Sequence, residues 1–154
     1  LLYKDGAGLL PVRLPEQVRA VAGTESVFPR FGMSKHPALA RLVDHGGSEA
    51  AAVRRFVPLT LPADEDEDRA VLKLNDGTPA IVEKDFGAGR VLLSNTTVSP
   101  SWNYLPATSE FVVLVQELLR YLVGQPDKAV NLTVGDPFVQ PAYISDQHPD
   151  RRIR

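Results

Sequence analysis

Apolar residues keep a helical rhythm over one long stretch. Phe111, Leu114, Val115, Leu118, Leu119 and Leu122 recur three and four positions apart, which is the repeat of one face of an α-helix. Thr108 or Ser109 can cap its start, and Gly124 with Pro126 beyond it supplies the stop. The spacing predicts a helix over 109–123. Val112, Val113 and Val123 widen the apolar face past a single stripe, so this helix is expected to pack on a sheet and to be largely buried, Leu118 and Leu119 included.

Upstream the rhythm shortens. Segments 70–74, 79–84 and 90–94 are short, rich in Val, Ile and Leu, and separated by Asn75-Asp76-Gly77 and by Phe86-Gly87-Ala88-Gly89. Both separators are hairpin signals. Three successive strands joined by tight turns predict an antiparallel meander, with Val91-Leu92-Leu93 as a continuous buried run.

The first sixty residues are more broken. Gly6-Ala7-Gly8 suggests a loop, and the apolar residues up to Leu14 a short extended segment between Pro11 and Pro15. Segment 16–22 reads as a helical turn or a short strand, and 27–31, interrupted by Pro29, as extended. Pro37 suits a first helical turn, Leu39, Leu42 and Val43 follow at helical spacing, and Gly46-Gly47 stops them, so 37–45 is expected to be a short helix. Segment 53–61 is strand-like, kept to an edge or bulged by Pro58, and 130–134 reads as a last strand.

Composition narrows the function classes. With 154 residues and 44% hydrophobic side chains the chain can build one ordinary core. A net charge of −2 gives no general pull toward nucleic acid or anionic lipid. No apolar run reaches the roughly 18 residues of a membrane span. The chain has no cysteine, which removes disulfides, thiol nucleophiles and thiolate metal sites. The Leu1-Leu2-Tyr3 start and the Arg151 to Arg154 end read as cut from something longer.

Few residues are placed for chemistry. Asp44-His45 and His148-Pro149-Asp150 lack the ligand spacing of a zinc site. The five acids from Asp64 to Asp68 lack the glycine and closing glutamate of a calcium loop and read as a solvated loop. Gly87-Ala88-Gly89 precedes a strand, not a helix, and so reads as a turn rather than a dinucleotide fingerprint. No metal or cofactor is expected. Asn95 and Asn131 stand in glycosylation-type triplets, a pattern common by chance. The polar loop after the third strand carries Asn95, Trp102, Asn103 and Tyr104. Strand ends of this kind host ligands in α/β sheets, and the aromatic pair could stack on a sugar or a peptide. The alternative is that Trp102 covers the core beneath the long helix.

Gly87-Ala88-Gly89-Arg90-Val91-Leu92-Leu93, the Trp102 loop, Phe111-Val112 and Leu114 through Leu122 together carry a family resemblance, as do Gly6 to Pro11 and Asn131 to Pro137. The chain resembles a segment of large bacterial membrane-anchored proteins with a BatA-like amino-terminal region, a von Willebrand factor A domain and a class I glutamine amidotransferase-like region. The resemblance covers roughly 1–138, most firmly 71–137, and rests on glycines and apolar positions. It implies an α/β, amidotransferase-like (flavodoxin-like) fold. This chain would be its carboxy-terminal portion, an antiparallel strand meander packed by a long helix, with 1–138 as one domain and 139–154 as a tail or the start of another. It also implies a periplasmic or otherwise extracytoplasmic location.

The chain departs from that family's chemistry, because an amidotransferase needs a nucleophilic cysteine. His36-Pro37-Ala38-Leu39 resembles the histidine end of the family dyad, but Ala38 stands where an acid belongs. The plain reading of His36 is a solvated residue at a helix start. These observations favour a non-catalytic extracytoplasmic scaffold or interaction domain, with protein partners or other domains of a parent chain. The alternatives are a small-ligand or carbohydrate-binding module on the Trp102/Tyr104 loop, and a hydrolase or amidotransferase remnant around His36.

Overall fold

The computed structural model describes residues 2–22, 25–45, 49–62 and 69–124, excluding the side chains of Asp5 and His45. Leu1–Val123 form one compact unit. The expected strand 130–134, the domain boundary near 138, the Gly46-Gly47 stop, the acidic run 64–68, Asn131 and His148 to Asp150 lie outside the described residues.

The centre is a three-stranded antiparallel meander of β3 (Ala70–Lys73), β4 (Pro79–Phe86) and β5 (Gly89–Ser94), in the order β3-β4-β5. The three expected strands are present, and each turn follows its sequence signal. Asn75-Asp76-Gly77 closes the first hairpin, with the Asp76 carboxylate accepting from the Thr78 amide. The second is tighter, with Phe86 paired to Gly89. Only Gly87 and Ala88 lie between them, and Gly87 takes φ 61°, as a two-residue turn matched to strand twist requires. A second, two-stranded antiparallel sheet pairs β1 (Arg19–Ala20) with β2 (Arg55–Phe56). The described part is thus mixed α/β, with antiparallel sheets and one long helix, α1 (Ser109–Val123). No described helix is long and apolar enough to cross a membrane.

Side-chain alternation on β4 sorts the core into two layers. Ile81 faces the larger cluster with Phe31, Leu39, Leu42, Phe56 and Leu114. Val82 faces a smaller one with Val12, Leu59 and Leu61. The sheet is therefore covered on both faces.

Four expectations are corrected. Segment 37–45 is not a regular helix but 3-10 turns at Pro37–Leu39 and Val43–His45. Segment 53–61 pairs as a strand only at Arg55–Phe56, with a single further bridge from Val53 to Asn103. Leu59 and Leu61 are buried without strand pairing, because side-chain burial needs no ladder. Val91, Leu92 and Leu93 are half-buried. The fourth concerns α1, which is not largely buried. Leu114 is 3% exposed, but Leu119 is 55% exposed and Val112 57%. Its core contact is the face of Phe111, Val113, Leu114, Leu118 and Tyr121.

Candidate functional site

The expected ligand loop runs from the end of β5 to α1. Asn95 is 2% exposed and Asn103 1%. Asn103 donates from Nδ2 to the Thr96 hydroxyl at 3.1 Å and to the Thr97 carbonyl, and its Oδ1 accepts from the Leu105 amide at 3.0 Å. Asn95 donates from Nδ2 to the Pro79 carbonyl at 2.9 Å. Its Oδ1 is buried and makes no hydrogen bond. Both amides therefore serve as clamps that bind the loop to itself and to β4. Burial also removes Asn95 as a sugar acceptor. Trp102 is half-buried, and its carbonyl accepts from the Arg54 and Arg55 amides at 2.6 and 3.0 Å. Tyr104 is 39% exposed and lies under the Arg54 guanidinium, 4.5 Å from ring centre to Cζ. The four residues are neighbours, but the asparagines do not offer their amides to a shared cleft.

His36 does meet an acid, supplied from a distant strand. Ser34 and His36 stand just before the Pro37–Leu39 turn. The Ser34 hydroxyl donates to the Val71 carbonyl at 2.7 Å and accepts from the His36 amide at 3.2 Å. His36 is the cap of that turn, with Nδ1 accepting from the Ala38 amide at 3.2 Å. This assigns the ring proton to Nε2, which donates to Glu83 Oε1 on β4 at 3.2 Å. The other carboxylate oxygen, Oε2, accepts from the Tyr121 hydroxyl of α1 at 2.8 Å. The Tyr121 ring meets the imidazole edge-to-face at 4.8 Å, and the Arg90 guanidinium lies 4.5 Å above it.

The imidazole is only 8% exposed, not solvated as the helix-start reading expects. Burial raises the Tyr121 pKa first, and the hydrogen bond to Glu83 and its negative charge add to that, so the hydroxyl is pushed up to about 12. Chemically, the trio is closed. Both ring nitrogens of His36 and both oxygens of Glu83 already have partners, and the Ser34 hydroxyl is committed to backbone. No free nitrogen is presented to a nucleophile. Sequence spacing could not find Glu83 or Tyr121, since a polar residue in a half-buried strand and one in a helix give no separate signal.

Two of the clefts border these residues, one through Glu83 and one through Ser34 and His36. One, of about 880 Å³, is lined by Arg13, Arg69, Glu83, Lys84 and Asp85 among others, so both charge signs meet there. The other, of about 520 Å³, lies between the 30–37 segment and β3. Among the described residues no group of three or more His, Asp or Glu could hold a metal ion.

No family model matches the chain, and neither a curated protein nor a solved structure matches it.

Proposed function

We propose that this chain is a non-catalytic interaction domain, a scaffold element of a larger membrane-anchored bacterial protein that works outside the cytoplasm. One observation carries the reading. α1 leaves Val112, Val115, Leu119, Leu122 and Val123 exposed on one side. The first four stand three, four and three apart, the seam spacing by which one helix packs on another. A contiguous apolar row left to solvent is the kind of surface that marks interaction sites. The occupant is an apolar helix of a partner or of the parent chain.

The polar groups that could have formed a reactive centre support the same reading. Asn95, Asn103, Ser34, His36 and Glu83 are spent largely on internal bonds. The resemblance to the amidotransferase-like region of anchored bacterial proteins supplies the finer fold and the location, and the absence of cysteine removes that region's nucleophile.

The test pairs association with turnover. The purified chain is mixed with the remainder of the parent polypeptide, produced separately, and complex formation is followed by sedimentation. A complex that is lost in Leu119→Lys, with no glutaminase or esterase turnover, supports the proposal. Turnover that vanishes in His36→Ala would establish the enzyme-remnant reading instead.

A further inference from the structure

The cleft beside β3 is built where the chain leaves the strand edge. Arg30 is tied to that edge by its amide, which donates to the Lys73 carbonyl at 3.0 Å. Ser34 is tied to it by the hydroxyl bond to Val71. Between the two ties the 3-10 turn Phe31–Met33 arches away, anchored by the fully buried Phe31. The space left is about 520 Å³, within the range of sites that hold a ligand or a few residues of a peptide.

Its walls have one sign of charge. Arg30, Lys35 and Lys73 line it, and no Asp or Glu does among the described residues. Asp76, next to Gly77 on the rim, is turned to Arg19 at 3.4 Å. Arg30 and Lys35 are exposed. Apolar surface accompanies the charge. Met33 is 66% exposed at the rim, and Pro37 is exposed beside it. An unbranched thioether adapts its shape to what packs on it. Among the described residues lining it, no uncharged polar side chain is left to orient a small molecule. Ser34, His36 and Asn75 also line the cleft, but their side chains are engaged inside the protein, Asn75 with the Phe28 amide and the Ser26 carbonyl. What remains is Arg30 and Lys35 on flexible stems around an apolar lip, which suits an extended chain with several carboxylates more than a compact molecule.

We propose that this cleft docks an acidic, partly apolar peptide segment of a partner protein, with Arg30 and Lys35 meeting its carboxylates and Met33 and Pro37 its apolar side chains. The site is separate from the exposed row on α1 and does not rest on it.

The probe is a short fluorescein-labelled peptide alternating glutamate and leucine, with lysine–leucine and glutamate–serine peptides as controls, read by anisotropy. The expected result is binding of the glutamate–leucine peptide alone, weakened about tenfold or more, or about 1.4 kcal/mol, in the Arg30→Ala/Lys35→Ala double variant. Binding should also fall as salt rises. The reversed variant, Arg30→Glu/Lys35→Glu, should prefer the lysine–leucine peptide, and Leu119→Lys should leave binding unchanged. Thermal melts of the variants, whose replaced side chains are solvent-facing, confirm folding. Binding unaffected by the double variant overturns the proposal. So does equal binding of the glutamate–serine peptide with displacement by inorganic phosphate, which would mark a small-anion site. Self-association of the chain that the double variant abolishes would assign the cleft to a second copy and overturn it as well.

Discussion

His36 and Glu83 are 47 residues apart in sequence and 3.2 Å apart in space. The pair joins a 3-10 turn to the central strand, and Tyr121 joins α1 to the same carboxylate. One side chain thus cross-links three elements.

Glu83→Gln should expose that dependence. A carboxylate accepts from both His36 Nε2 and the Tyr121 hydroxyl, whereas an amide offers one oxygen and turns an NH2 toward the other donor. The buried imidazole or the phenol then loses its acceptor, at a cost of about 1–3 kcal/mol. Urea unfolding of the two proteins measures it. An unchanged midpoint would show that the carboxylate is not a tie.

Tyr121 sets the alkaline behaviour. Its hydroxyl is held protonated in the fold up to about 12, against an ordinary 10.0. Below pH 10 neither state has lost the proton, and the stabilising effect is fully present. Between about 10 and 12 the unfolded chain releases the proton first, so stability falls as pH rises through that window. Ultraviolet titration should show one of the four tyrosines ionising last, and Tyr121→Phe should abolish that phase. The loss of stability from pH 10 to 12 should also be shallower in Tyr121→Phe than in the parent chain.

Two leucines on α1 should behave oppositely. Leu114→Ala removes a buried side chain and should cost roughly 2–5 kcal/mol. Leu119→Ala trims a side chain that is 55% exposed and should cost less than about 1 kcal/mol. Equal costs in chemical denaturation would contradict the orientation of the helix.

Asn103→Ala should be severe for a loop residue. It strips partners from the Leu105 amide, the Thr96 hydroxyl and the Thr97 carbonyl, and a buried group left unpaired costs about 1–3 kcal/mol. Tyr104→Ala, at a partly exposed ring, should cost less. The comparison by thermal melting separates a structural clamp from a ligand contact.

The elements legible in the sequence are those whose signal is local. The hairpin turns at Asn75-Asp76-Gly77 and Phe86 to Gly89 and the helix 109–123 follow from residue type and spacing within a few positions. The face of α1 was not legible, because apolar residues occur almost all round it and only packing selects Leu114 over Leu119. Segment 37–45 had helical spacing, but the structure is 3-10, with His36 capping the first turn. Of the candidate ligand loop, adjacency could be read and burial could not, since Asn95 and Asn103 are polar residues turned inward. The cleft beside β3 had no sequence signature at all. Arg30, Lys35 and Lys73 come together only when the strand edge and the departing chain are set side by side.

Successive residues of β4 reach in opposite directions. Glu83 holds His36 and Tyr121 on one face, while the Lys84 ammonium donates on the other to the carbonyls of Gly6 and Gly8. The Glu83 carbonyl also accepts from Arg69 at 3.2 Å. The central strand is therefore a keystone in time as well as in space. Where β3 and β5 both flank it, over 80–82, its buried amides should be the slowest in the unit to exchange with solvent deuterium. The amino-terminal glycine loop, by contrast, can detach from Lys84 in a smaller event and leave the keystone in place.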